Sequence, residues 1–211
     1  MIEVLHKNTP EWDDAVSVIS DTFKKAYGAK LQHFMPHFVR VSSKDNKLKA
    51  LLGYRAAESE RLFLEVYLDE PVEVSISRYL GYPVERSSIV EVGNLAESEP
   101  GDARMAIIGA TAYLHSAGYR WVVFTGITRL RNAFRRLGME PKELMVADES
   151  RLSPEQRVAW GTYYEGNPVV CFGDINEGHD NLQELWASLR DTWARAVEVG
   201  ERQAEVRKHK K

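Results

Sequence analysis

The sequence predicts an α/β domain built on a mixed sheet, with helices on both faces and a helix at the C-terminal end. Three observations carry this reading. Phe38 to Ser42 and Leu48 to Ala57 flank the turn Lys44-Asp45-Asn46-Lys47 and form an antiparallel hairpin. A strand near Ile89 to Ala96, a helix from Asp102 to about Ala117 and the apolar run Tyr119 to Thr125 make a βαβ unit, whose strands are parallel and joined by a right-handed crossover. Long stretches of helical spacing open and close the chain.

Ile2 to His6 alternates and is rich in β-formers, so it is a short first strand. Thr9 or Asn8 caps the next helix, with Pro10 at an early position. Trp12, Ala15, Val16, Ile19, Thr22, Phe23, Ala26 and Tyr27 form its apolar face up to Gly28. Past the hairpin, Leu62 to Glu70 is apolar and acidic by turns until Pro71 ends it. Val72 to Leu80 is a short helix, and Gly81-Tyr82-Pro83 a turn. In the helix from Asp102, Met105, Ile108, Ala112 and His115 mark one face, widened by Ile107 and Leu114, and Gly118 stops the helix.

Trp121, Val122, Val123 and Phe124 make the following strand the clearest buried one. Thr128 to Leu137 is a short helix, Leu144 to Ala147 a strand, and Ser153-Pro154 opens a helix or loop up to Trp160. Asn167 to Asp174 is the last strand. Asp180 or Asn181 caps a final helix to about Val199, with Leu182, Leu185, Trp186, Leu189, Trp193 and Val197 docking on the core. Trp12, Phe23, Tyr27 and Trp186 all read as packing residues. There is no repeat and no linker, so residues 1–200 form one domain and 201–211 a flexible basic tail.

A chain of 211 residues suffices for one full core. A net charge of -3 argues against nucleic acid as a partner. The single cysteine, Cys171, excludes an internal disulfide, and six histidines without ligand spacing argue against a metal. Met1 to Pro10 has no signal-like apolar core, and no run approaches the ~20 residues of a membrane span. The reading is a reduced, cytoplasmic protein, and it leaves a homodimer open.

The stretch that bears the chemistry is Ile89-Val90-Glu91-Val92-Gly93-Asn94-Leu95-Ala96, followed by Glu97-Ser98-Glu99-Pro100-Gly101-Asp102-Ala103-Arg104. Glu91 and Gly93 face one side; Val90, Val92 and Asn94 face the other. The phase slips at Leu95 and Ala96, and Gly93 points to a bulge or the close approach of another backbone. Strand, glycine turn and helix start together make an anion site, because the first helical N–H groups are unpaired and aim at the turn. Gly101, Asp102, Ala103 and Arg104 are the residues that would meet a phosphate.

This order of elements resembles the GNAT acyltransferase fold. Ser98-Glu99-Pro100-Gly101-Asp102-Ala103 is similar to that superfamily's pyrophosphate loop at its two small positions, with Ser98 in place of Gln or Arg. Phe134-Arg135-Arg136-Leu137-Gly138-Met139 is similar to its Y-x-K-x-G-F segment, with Phe134 for the tyrosine. The set Leu62-Phe63-Leu64-Glu65-x-Tyr67-Leu68, Glu91 to Ala96, Phe124-Thr125, Leu130-Arg131-Asn132, Arg136-Leu137-Gly138, Ala147-Asp148 and Trp160-Gly161-x-Tyr163-Tyr164 resembles the thermostable hemolysin family over about Phe34 to Ile175. That family is grouped with GNAT-like proteins and is similar to autoinducer synthases, whose E-x-x-R-F motif meets Glu91 here but finds Asn94 in place of arginine. The resemblance implies a GNAT-like, mostly antiparallel sheet with splayed central strands. It also implies acyl transfer from acyl-CoA or an acyl-carrier protein to a small amine such as an amino acid.

Such a reaction needs an extended thioester, a donor for its oxyanion and an acceptor for the amine's proton. Val92, Gly93, Asn94 and Leu95 are the candidates for pairing with a pantetheine arm. Glu91 is the first candidate base, since a carboxylate partly out of water titrates nearer neutrality. Glu65 and Glu73 are weaker candidates, and the plainer reading of Leu62 to Val74 is a lid with solvated acids. Tyr163 or Tyr164 would protonate the leaving thiolate, although paired tyrosines usually just pack. Arg129, Arg131, Arg135 and Arg136 read either as a solvated face or as contacts for the 3′-phosphate of coenzyme A or an acidic carrier protein; Asn132 reads as buried and bonded. The rival readings are a membrane-active protein, as the family name suggests, and a GNAT-like fold that binds a thioester without turnover.

Overall fold

A computed structural model describes the backbone over residues 1–208 and side-chain surroundings over 1–197. In chain order the elements are β1 (Ile2–His6), α1 (Pro10–Tyr27), β2 (His37–Ser42), β3 (Leu48–Ala56), α2 (Val72–Leu80), β4 (Ile89–Glu97), α3 (Ala103–Ser116), β5 (Trp121–Gly126), α4 (Thr128–Arg135), β6 (Lys142–Val146), α5 (Pro154–Trp160), β7 (Val169–Asp174) and α6 (Ile175–Lys208). The strands form one sheet in the order β1-β2-β3-β4-β5-β7-β6. Among the described residues only β4 and β5 run parallel, and α3 is their crossover. The predicted class, a mixed and mostly antiparallel sheet with helices on both faces, is the one observed.

Alternation along the strands builds the two layers. Val39, Leu52, Val90, Val92 and Phe124 point to α3, α4 and α6. On the other face Phe38, Leu51 and Ala96 meet α1, while Ile89, Trp121 and Val123 meet α2 and the segment before it. The expected caps hold α1. The Thr9 side chain accepts from the Trp12 N–H, and Gly28 ends the helix in the left-handed region at φ 65°.

Three expectations are corrected. Leu62 to Glu70 is no lid of solvated acids: Leu62, Leu64, Glu65 and Tyr67 are buried, and Phe63–Val66 is a 3₁₀ turn packed on the sheet. In α3 the buried residues are Ala106, Ile107, Ala110 and Leu114, while Met105 is exposed. That helix is apolar almost all round, and the sheet takes the side where alanines let the backbones approach.

Third, α6 begins at Ile175 rather than at Asp180 or Asn181. The Asp174 side chain caps it, accepting from the N–H groups of Asn176 and Glu177 at 2.9 and 3.2 Å. It docks through Leu182, through a His115–His179 ring stack and through the bond Asn181 donates to Gly138 O. The helix then continues past Val199 to Lys208. Trp186, Leu189, Trp193 and Val197 are exposed, not packed on the core. Of the expected flexible tail, residues 209–211 lie outside the described residues, and of 201–208 only the backbone is described.

Candidate active site

The central strands part. β4 pairs with β5 at Ile89–Trp121, Val90–Val122 and Glu91–Val123, and no further. Beyond that point β4 stays with β3 as far as Glu97, while β5 stays with β7 as far as Gly126. A split therefore opens between Val92–Leu95 and Phe124–Gly126. Its cause is local. Between the register pairs Leu51–Ala96 and Gly53–Gly93, β3 has only Leu52 while β4 has Asn94 and Leu95. The extra residue is a bulge, which bends its strand. Asn94 takes the left-handed conformation at φ 48°, and its Oδ1 accepts from the Met35 N–H at 2.9 Å. The close neighbour foreseen at Gly93 is the Met35 side chain rather than a backbone, since a Cβ there would lie 2.9 Å from the Met35 methyl.

Glu91 stands at the last paired rung, on the face away from α3, and is only 3% exposed. Its oxygens accept from the N–H groups of Phe63 at 3.1 Å and Leu64 at 3.0 Å. Burial pushes its carboxyl up to about 7, against the pull of Arg55 and those two amides. Arg55 lies directly opposite on β3, its Nε 3.4 Å from Glu91 Oε2. Sequence reasoning missed it; the available signal was an arginine closing the run Ala50 to Tyr54, which carries no other charge.

Glu65 has a different setting. It accepts from the N–H groups of Leu62 and Val72 and is bridged by Arg86 at 2.7 Å. Burial opposes its ionisation, but these donors outweigh burial and hold it below the usual carboxylate range. Arg86 reaches Glu73 as well, so both weaker candidates are ion-paired braces for the start of α2. The two tyrosines also separate. The Tyr164 hydroxyl pairs with that of Tyr67, and burial pushes Tyr164 up to about 12. Tyr163 instead donates to Thr125 O at 3.2 Å, beside the split, where Thr125 Oγ1 is buried with no partner among the described residues.

On the α3 face a cavity of about 50 Å³ lies between the sheet, α3 and the start of α6; Val92 and Phe124, at the near end of the split, line it with Ala110, Leu114, Phe134, Met139 and Ile175. Phe134 stacks on Phe124 with centroids 4.8 Å apart.

The turn into α3 is formed, and Gly101 at φ 102° occupies a conformation open to glycine. Its amides already hold an anion. Glu97 Oε2 accepts from Gly101 and Ala103 at 3.0 and 3.2 Å, and Glu97 Oε1 pairs with Arg129. Asp102 lies 3.5 Å from Lys49, and Arg104 is exposed on the first turn of the helix. The arginine cluster divides as well. Arg131 is a brace, donating to Gly126 O at 2.7 Å and facing Glu143 at 3.3 Å. Arg135 is half exposed and donates to Asn132 Oδ1. Asn132 is exposed, not buried as expected, because α4 turns Phe134 inward instead.

Residues 5–179 match the family described as thermostable hemolysin. The chain belongs to that family. No curated protein matches this hemolysin-family chain by sequence. Among solved structures it is similar to FeeM, an N-acyl amino acid synthase from uncultured soil microbes, with 12% identity and TM-score 0.55 over 86% of this chain and 98% of that one. It is similar to BjaI, a CoA-dependent acyl-homoserine lactone synthase solved with SAM and isopentyl-CoA, with 11% identity and TM-score 0.56 over 87% and 88%. The synthase MesI, also CoA-dependent, gives 14% identity and TM-score 0.54 over 89% and 95%. At these identities what is shared is the GNAT-like fold. No helix among the described residues is long and apolar enough to cross a membrane.

Proposed function

We propose that this chain transfers an acyl group from a thioester, carried by coenzyme A or an acyl-carrier protein, to the amine of a small molecule such as an amino acid. The observation that carries the reading is the split. From Val92 to Leu95 the edge of β4 that faces β5 has no strand partner, so a pantetheine arm can add there by backbone pairing. The acyl chain then lies in the apolar cavity under Val92 and Phe124. The amine attacks the thioester carbonyl, the C–S bond breaks, and the thiolate leaves with little need of an acid because a thiol's pKa is about 8.5. The amine's proton goes to Glu91, which burial has tuned to accept one near neutrality. The fold shared with synthases of acyl amides supports the same reading.

A second reading, thioester binding without turnover, rests on two observations: Phe134 offers no hydroxyl, and Glu97 fills the amides of the phosphate turn. One experiment separates the two. The protein is incubated with a panel of acyl-CoAs and acyl-carrier proteins and a mixture of amines, then analysed by mass spectrometry. An acyl-amine product that disappears in Glu91→Gln supports transfer. Donor binding without product supports the second reading. Neither binding nor product sinks both.

A further inference from the structure

We propose that the Thr125 hydroxyl is the oxyanion donor of this site, hydrogen-bonding the thioester carbonyl oxygen as negative charge develops on it. The proposal rests on the acyl-transfer reading and adds a group that reading leaves unnamed. Among the described residues three side-chain polar atoms are buried with no hydrogen-bond partner: Asp102 Oδ2, Arg131 Nε and Thr125 Oγ1. The first two belong to charged groups with an opposite charge close by, Lys49 at 3.5 Å and Glu143 at 3.3 Å. A hydroxyl is neutral and gains little from a neighbouring charge, so only a hydrogen bond offsets its burial.

The position of Thr125 says what that bond would be. It lies on β5 two residues past Val123, the last residue paired with β4, and Val123 is level with Glu91. Side chains two apart on a strand share a face, so Thr125 stands on the Glu91 face. Its β7 partner Val170 packs in one cluster with Val123 on that side. Two rises of the strand put the hydroxyl about 7 Å along from the Glu91 rung. Two hydrogen bonds of about 2.8 Å on either side of one reacting carbon span such a gap. Counted on from the last rung, β4 presents Gly93 opposite Thr125, so no side chain from across the split competes for the hydroxyl. The residue is also held in place. Its carbonyl accepts from the Tyr163 hydroxyl at 3.2 Å, and the Tyr163 ring packs against Tyr27, Trp160 and Tyr164. A donor fixed before the reaction costs no reorganisation during it.

The amine's lone pair attacks the thioester carbon, the C=O π pair moves onto oxygen, and Thr125 donates its O–H to that oxygen. The pair then returns to re-form C=O, the C–S bond breaks with its electrons on the leaving thiolate, and the amine's proton goes to Glu91. Thr125 keeps its own proton throughout.

The test compares the full chain with Thr125→Val, which keeps the shape and removes the hydroxyl, and with Thr125→Ser, which keeps the hydroxyl. With the donor and amine that give product, Thr125→Val is expected to lose about 10²–10³-fold in kcat with KM within about threefold of wild type, and Thr125→Ser to recover most of the loss. A second readout needs no turnover: the infrared carbonyl band of a donor labelled with ¹³C at the thioester carbon, bound without amine. It is expected at lower frequency on wild type and Thr125→Ser than on Thr125→Val. Where a donor binds without turnover, this band alone decides. A Thr125→Val enzyme with wild-type kcat, or a carbonyl band identical in wild type and Thr125→Val, overturns the proposal and leaves the acyl-transfer reading standing. A wild type that binds no acyl-CoA or acyl-carrier protein overturns both.

Discussion

The Glu97 carboxylate accepts a hydrogen bond from the Gly101 N–H at 3.0 Å, so the chain's own acid occupies the amides that a donor's phosphate would use. The same oxygen takes the Ala103 N–H, and Arg129 neutralises the other. Any phosphate must displace this carboxylate or bind beside it against like charge. Replacing Glu97 with glutamine removes the charge and frees Arg129. Calorimetry with coenzyme A is expected to show affinity about tenfold tighter, about 1.4 kcal/mol. Weaker binding would mean that Glu97 shapes the turn rather than competing for it. Gly101→Glu, which adds a charge at a left-handed position, is expected to abolish binding.

Glu91 predicts opposite pH trends for activity and stability. As a base it works ionised, so the transfer rate is expected to rise with pH and reach half its plateau near 7. Glu91→Gln is expected to lose about 10²–10⁴-fold in kcat while still binding donor. Stability runs the other way. The folded carboxyl holds its proton more tightly than the unfolded chain, whose value is near 4.5, so this contribution is complete below about 4.5 and is lost as pH rises through 7. A shift of this size is worth on the order of 3 kcal/mol. Melting curves from pH 5 to 8 should fall for the wild type and stay flatter for Glu91→Gln.

Glu65 is expected to behave as a structural acid. Its carboxyl is held low, so its stabilisation is present above the unfolded value and fades as pH falls through the folded one. Arg86→Ala leaves Glu65 buried without its cation, a loss of about 3 kcal/mol, read as a lower Tm. At a temperature where the variant remains folded, kcat should be unchanged. A large fall in kcat with no fall in Tm would return Glu65 to the catalytic set.

The cavity predicts the acyl specificity. Ala110 lines it from α3, and Ala110→Leu adds about three methylene-sized groups to a space of about 50 Å³. Turnover across a series of acyl-CoAs should shift to shorter chains. An unchanged profile would place the acyl chain outside this cavity.

Strands, helices and most boundaries were legible because each follows from local pattern: alternation in β2 and β3, helical spacing and caps in α1, a glycine turn before α3. The bulge was legible as one of two readings of a phase slip beside a glycine, while the parting of β4 from β5 was implied only by the family resemblance. Contacts between distant segments were not. Arg55 beside Glu91, Arg86 beside Glu65 and Glu97 in the turn amides depend on which strand lies next to which and on how a side chain turns at its end. The sequence also set an apolar stripe on α6 without saying what it meets, because an amphipathic face specifies that something must cover it and not which surface does. By itself, then, the sequence determined the elements, the bulge and a buried acid on the central strand. Only the tertiary structure decided which acid is braced, which is poised near neutrality and which plugs the phosphate turn, because desolvation and pairing are properties of neighbours brought together by folding.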